Sequence, residues 1–324
     1  MKKTLCFSNP AYLRTGLRQL EIEQVAAEKG GKPQKVTVPI EEIGVLVLEH
    51  PQITISHVAL AALIEENVAV ITCNDKFLPA GLFLPLEGHT LQARRFREQI
   101  EAALPLKKQL WQQTVRQKII NQARALRRQG IEDKPLLRWS LEVRSGDPDN
   151  MEARAAAYYW PRLFINTPLF VEEADAGDFD AFIRERYGDW PNCLLNYGYA
   201  ILRAVIARAL VASGLLPTLG IHHRNQYNAY CLADDIMEPY RPVVDLLVCD
   251  ILQEHPNPPE PDQYGNILSP ALKRKLLQIP VLDVWMERKL SPLQIAAQRT
   301  AASLAACFGG QSKELIFPEI KIKS

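Results

Sequence analysis

The hydrophobic period of this sequence changes once, near Gly88, and that change sets what the chain can fold into. Before it, short runs of β-branched or alternating residues occupy 4–8, 11–14, 19–23, 35–40, 45–49 and 52–56. Gly, Pro, Asn and Lys punctuate them, as turns punctuate strands. Leu20 and Ile22, like Val36, Val38 and Ile40, alternate with polar neighbours, the period of half-buried strands. Ser56 is placed to cap a short helix over 57–66, ahead of a strand over 68–73. Asn74-Asp75-Lys76 predicts a turn, and 77–84 runs extended towards Pro85. Beyond Gly88 the apolar residues recur at helical spacing, as in Leu110, Val115, Ile119, Ala123 and Leu126. Helices are expected over 92–104 and 106–129, divided by Pro105 and closed by Gly130. Others are expected over 151–160 behind Asp147-Pro148-Asp149-Asn150, over 192–213 with Gly214 as stop, and over 270–308. Pro256, Pro258, Pro259 and Pro261 demand a loop over 254–270, and 315–323 reads as an extended tail. The outline is α+β: a small β-rich domain over residues 1–88, then a larger α-helical domain over 89–324.

A chain of 324 residues has room for two domains and an ample core. The formal net charge of +1 excludes nothing, but its distribution is uneven. Arg94, Arg95, Arg97, Lys107, Lys108, Arg116, Lys118, Arg124, Arg127 and Arg128 face only Glu98 and Glu101 over the same stretch. That excess is either a polyanion-binding surface or an ordinary solvated helix face. The six cysteines are scattered without a C-x-x-C pair, which argues against zinc ribbons and thioredoxin-like chemistry and for reduced, buried thiols. The first residues lack the apolar core of a signal peptide. No uncharged apolar run reaches about 18 residues, so no membrane span is expected and the location read from this is cytoplasmic. G-x-G-x-x-G, Walker A, G-x-S-x-G and H-E-x-x-H patterns are all missing.

One stretch, 220–245, concentrates His222, His223, Asp234, Asp235, Glu238, Arg224 and Arg241, while most of the chain on either side is apolar or ordinary solvated surface. Titratable groups brought together under cover need partners, and a metal ion is one such partner. His223 and Glu238 would stand roughly 22 Å apart along one helix, so sharing an ion requires the chain to turn back between them. The polar run Arg224–Asn228 is the place for that turn. Asp234 or Asp235 then opens a new helix, with Pro239 near its start and Pro242 as a kink. The best third ligand from elsewhere is Glu152, one residue into an alanine-rich helix, although a glutamate there also complements the helix dipole. Asp235 suits a capping or ligand-orienting role, and Arg241 suits orienting a carboxylate, contacting phosphate or forming a plain salt bridge. Two carboxylates and an imidazole without thiolates suit a hard or borderline cation, Mg²⁺ or Mn²⁺. Such a site activates water or a hydroxyl against a phosphodiester.

These residues carry a resemblance. Asn150-Met-Glu-Ala-Arg-Ala-Ala156, Gly220-Ile-His-His-Arg-Asn-Gln-Tyr-Asn228 and Asp235-Ile-Met-Glu-Pro-Tyr-Arg-Pro-Val-Val-Asp245 are similar to the CRISPR-associated spacer-acquisition integrase known as Cas protein one, most closely its type II form. Asn196-Tyr-Gly-Tyr199 and residues 67–76 agree more weakly, so the likeness spans roughly 1–250. The resemblance implies an N-terminal β-sandwich-like domain joined to an α-helical catalytic domain, assembled as a homodimer. It implies a small second Cas protein as partner, and double-stranded DNA, pre-spacer and CRISPR repeat, as substrate. The reaction implied is metal-dependent insertion of new spacer DNA, in which a 3′-hydroxyl attacks a phosphodiester at the repeat boundary. The family's metal ligands fall on Glu152, His223 and Glu238, leaving His222 out. A catalytically inactive DNA-binding scaffold is the alternative from another class, and a hydrolase of small phosphoesters is a third.

Overall fold

The computed structural model describes residues 2–24, 34–75, 77–170, 182–185, 188, 190–261 and 267–321. Eight strands fill the N-terminal part: β1 (Lys3–Phe7), β2 (Ala11–Gly16), β3 (Gln19–Gln24), β4 (Gln34–Pro39), β5 (Ile43–Leu48), β6 (Ile53–Ile55), β7 (Ala69–Cys73) and β8 (Pro79–Phe83). They form two four-stranded sheets, ordered β1-β5-β7-β8 and β4-β3-β2-β6. In the first, β5 pairs in parallel with both β1 and β7, while β8 returns antiparallel. In the second, β4, β3 and β2 form an antiparallel meander and β6 adds in parallel to β2. Helix α1 (His57–Glu65) is capped as its sequence suggests, with Ser56 Oγ accepting from the Ala59 N–H at 3.2 Å. A cap of this kind is worth about 1 kcal/mol.

The first sheet explains why β5 reads Ile-Gly-Val-Leu-Val-Leu without alternation. Leu46 and its neighbour Val70 in β7 face a core shared with Leu13, Leu20, Ile22 and Leu63. Val45, Val47, Ala69 and Ile71 face the other way, into the core of the helical part. A strand covered on both faces has no polar side to show.

The helical part runs α2 (Gln92–Glu101), α3 (Leu104–Arg128), α4 (Lys134–Glu142), α5 (Met151–Leu163), α6 (Asn192–Ala212), α7 (Cys231–Met237), α8 (Arg241–Glu254), α9 (Pro270–Leu276) and α10 (Leu293–Phe308). A single 3-10 turn, Glu238–Tyr240, separates α7 from α8. Helix α6 is long and apolar enough to cross a membrane, but 83% of that apolar window is buried inside the fold. It is the central core helix, and Gly198 lets α8 approach it: a Cβ there would lie 2.7 Å from Val244 Cγ1.

Several expectations need correction. Pro105 does not divide two helices; it sits in the first turn of α3, where its missing N–H costs nothing, and the break falls at Ala102–Ala103. Helix α4 was not anticipated; it is as short as α1 but has no side-chain cap of the kind Ser56 supplies there. Helix α7 begins at Cys231 rather than at Asp234 or Asp235. Pro242 introduces α8 from within its first turn. The helices expected over 270–308 are interrupted by a hairpin, β9 (Asp283–Met286) and β10 (Lys289–Pro292). Its two-residue turn puts Glu287 and Arg288 at φ 48° and 66°, with residue types that give no turn signal.

Polar contacts bind the halves together, among them Gln294 Nε2 of α10 donating to the Lys2 carbonyl at 2.9 Å. Lys273 of α9 pairs with Glu49, just after β5, at 2.5 Å, with both side chains under 5% exposed (4% and 2%). Arg208 of α6 donates Nε–H to the Asn67 carbonyl at 2.5 Å.

Candidate active site

Glu152 enters from the first turn of α5. Asn150, in the left-handed region at φ 53°, makes no side-chain cap. Asp147 caps instead, its carboxylate accepting from the N–H groups of Met151 (2.9 Å) and Glu152 (3.0 Å). Glu238 enters from the 3-10 turn, where it is 4% exposed. The far ends of these elements are fixed by Asp245 of α8, which accepts from the hydroxyls of Tyr159 in α5 (2.8 Å) and Tyr199 in α6. Burial pushes the Asp245 carboxyl up to about 6, against those two hydrogen bonds.

His223 lies on the loop between α6 and α7, which provides the chain reversal that the spacing to Glu238 requires. Asp235, fully buried on α7, organises that loop. Its Oδ2 accepts from the His222 N–H at 2.9 Å, and its Oδ1 accepts from the His223 N–H at 3.2 Å and from His223 Nδ1 at 2.5 Å. A carboxylate only accepts, so Nδ1 carries the proton and Nε2 keeps its lone pair free for a ligand. The hydrogen bond that His223 donates to Asp235 raises the His223 pKa, against burial, with Asp235, Glu238 and Glu152 adding their negative charge. Gly220 is required by this closeness: a Cβ there would stand 2.4 Å from the His223 carbonyl and 2.7 Å from Asp235 Oδ2. The neighbouring Asp234 is held bidentately by Arg203 (2.6 and 3.0 Å) and also accepts from Asn228 Nδ2 at 2.7 Å.

Helix α3 backs the whole arrangement, a role its sequence did not suggest. Trp111 stacks on His222, with ring centres 4.1 Å apart, and meets His223 edge-on. Seven residues on, the Lys118 ammonium lies 2.6 Å from Glu152 Oε1 and 2.5 Å from Glu238 Oε2. Three residues further, Asn121 Nδ2 donates to the Pro239 carbonyl at 2.7 Å and to the Pro318 carbonyl at 3.0 Å. Asn121 Oδ1 accepts from Ile320 N–H at 3.2 Å, so the C-terminal segment is tied to the turn that carries Glu238. The only trace of this in the sequence is that 111, 118 and 121 share one helical stripe.

Glu152 and Glu238 therefore meet on one ammonium, and His223 is electrostatically linked to both. Arg241 Nε lies 3.0 Å from Glu238 Oε1, an ion pair, which fits the salt-bridge and carboxylate-orienting roles left open for it. Burial works to raise the Glu238 pKa, but Arg241 and Lys118 overcome it and hold the carboxyl low. Among the described residues no three His, Cys, Asp or Glu side chains already stand at ion-holding spacing. The donor set nevertheless suits a hard divalent ion: two carboxylates that already share one cation, and an oriented imidazole.

The basic stretch 94–128 is largely spent within the fold. Arg94, Arg124, Arg127 and Arg128 pair with Glu98, Glu319, Asp133 and Asp250, and Lys118 is in the site. Arg97, Lys107, Lys108 and Arg116 enter no ion pair among the described residues.

Asp235→Asn tests the orienting role. It keeps the volume but removes the anion that fixes His223, so the affinity of the site for a divalent ion falls by about 10–100-fold. The check is a calorimetric titration with Mn²⁺, with the midpoint moving to higher metal. An unchanged midpoint would remove Asp235 from this role.

The family model described as "CRISPR associated protein Cas1" matches residues 5–279 of the chain. A relative named "CRISPR-associated endonuclease Cas1", from Neisseria meningitidis, is 35% identical over 321 residues, covering 98% of this chain and 96% of the relative. Among solved structures, "Casposase bound to integration product" superposes with a TM-score of 0.75 at 21% identity, over 97% of this chain and 92% of the other. A chain of a "Cas6-RT-Cas1--Cas2 complex" gives a TM-score of 0.73 at 18% identity, over 99% of this chain and 36% of that longer one.

Proposed function

The chain belongs to the Cas1 family of CRISPR-associated proteins, and from that premise we propose that it is a DNA endonuclease and integrase that inserts new spacers into a CRISPR array. Nucleases of this family are in general metal-dependent. The ion proposed here is Mg²⁺ or Mn²⁺, held by Glu152, His223 and Glu238. When bound, it would supply Lewis-acid stabilisation of the phosphodiester and favour the deprotonated 3′-hydroxyl. The observation that carries this reading is that two carboxylates from separate elements share one cation, beside an imidazole already oriented by a buried aspartate.

The remaining parts of the site have defined tasks. Asp235 keeps the His223 Nε2 lone pair available. Arg241 pairs with one oxygen of Glu238, and Lys118 with the other. Asp147 and Asn121 set the two backbones from which the carboxylates project. Sequence-independent phosphate contacts fall to unpaired basic side chains such as Arg97, Lys108 and Arg116. The assembly proposed is a homodimer working in the cytoplasm with the small second Cas protein, on double-stranded pre-spacer and repeat DNA. The solved complex that contains both proteins supports that partner.

The test is a strand-transfer assay with labelled pre-spacer, a repeat-containing plasmid and the small partner, with and without EDTA. Joined product that depends on Mg²⁺ or Mn²⁺ is the expected result. Salt-sensitive DNA binding with no nicked or joined product under any metal would leave only the scaffold reading.

A further inference from the structure

Lys118 is a buried cation in the middle of the site, and the roles set out above give it no task. Its side chain is 12% exposed, and its ammonium bridges Glu152 and Glu238 at 2.6 and 2.5 Å. Covering an ammonium costs several kcal/mol unless opposite charge compensates it, so the lysine is held by the two carboxylates together. The reverse also holds. Two carboxylates brought face to face under cover repel, and the ammonium between them removes that repulsion.

A Mg²⁺ ion needs oxygen ligands at about 2.0–2.1 Å. An ion held by Glu152 and Glu238 would draw on the same two carboxylates that the ammonium now bridges, so the lysine and the ion would compete for them. The backbone of α3 is pinned on either side of Lys118, by Trp111 against His222 and by Asn121 on the Pro239 carbonyl. Exchange is therefore a swing of a flexible four-carbon side chain, with the helix staying in place.

We propose that Lys118 is the internal counter-ion of the metal-free site: it holds Glu152 and Glu238 together until a divalent ion arrives, and its displacement sets the affinity for that ion. Lys118 is thus a positioning residue for the carboxylates. The inference rests on the metal reading above and deepens it.

The experiment uses the full-length protein and Mn²⁺ alone, read by calorimetry and by thermal melts with and without EDTA. In Lys118→Met the metal-free protein melts lower than wild type, because two buried carboxylates lose their cation. Mn²⁺ then binds on the order of tenfold tighter, because nothing has to leave. Mn²⁺ also raises the melting temperature more in the variant than in wild type. Lys118→Arg keeps the charge and restores the metal-free melting temperature. Should Lys118→Met not fold, Lys118→Gln, which keeps a donor to one carboxylate, takes its place with the same expected tightening. Mn²⁺ binding equal to or weaker than wild type in the folded variant overturns the counter-ion inference. If Glu238→Gln still abolishes Mn²⁺ binding in that case, the metal reading survives without it. Absence of Mn²⁺ binding in both wild type and the lysine variants overturns both.

Discussion

Glu152→Gln, His223→Ala and Glu238→Gln each lower cleavage and strand transfer on the order of a thousandfold or more, a loss of several kcal/mol of transition-state stabilisation. The reason, on the proposed metal reading, is that the three groups would act on one ion: with any of them gone, the others would hold it loosely or in the wrong place. Their effects are therefore not additive, and Glu152→Gln/Glu238→Gln is scarcely worse than either single change. Glutamine is the better replacement at Glu238 because it keeps the volume and polarity in a position that is 4% exposed. Alanine there would leave Lys118 and Arg241 facing an empty space, confounding lost chemistry with lost stability. The measurement is single-turnover joining of a labelled pre-spacer, alongside DNA affinity and oligomeric state, which all three variants retain. A variant that joins at the wild-type rate in either Mg²⁺ or Mn²⁺ strikes its residue from the site.

Glu49→Ala is expected to be the most damaging single change away from the site, at about 3–5 kcal/mol of folding stability. Glu49 and Lys273 join the strand sheet to α9, and both are almost completely covered. Among the described residues the lysine ammonium also lies over the rings of Phe77, at 5.3 Å, and Tyr197, at 6.0 Å. Without the carboxylate it is a buried charge with no anion at contact distance. Glu49→Leu/Lys273→Met removes both charges and recovers most of that loss, because an apolar pair of similar size avoids desolvating either ion. Chemical denaturation of the single and double variants checks this. A single variant within about 1 kcal/mol of wild type would show that the pair is not the clamp between the two halves.

The β-to-helix division near Gly88 and the N-terminal strands were legible because periods of 2 and 3.6 are local properties of a chain. Leu20 and Ile22 alternate in the sequence and are buried as alternation requires. The hairpin at 283–292 was not legible, since Glu287 and Arg288 take a left-handed turn that their side chains do not advertise. Pro105 was misread because a proline at the first turn of a helix and one between helices look alike in sequence.

Within the site the same distinction applies. Residue chemistry alone singled out the 220–245 stretch, and spacing alone demanded a reversal between His223 and Glu238. The roles of Asp235 and Arg241 were open choices that tertiary contact narrowed: Asp235 orients His223, and Arg241 orients Glu238. Lys118 stood in the sequence as one of ten basic residues between 94 and 128, indistinguishable from Arg116 two residues earlier. Only packing separates them, Arg116 facing solvent and Lys118 lying between two carboxylates from α5 and the turn after α7. Sequence by itself determined which segments become strands and helices and which residues could carry charge-based chemistry, because those depend on neighbours along the chain. Which cation meets which anion was decided by tertiary structure, because a pair such as Lys118 and Glu238 exists only once distant segments are folded against each other.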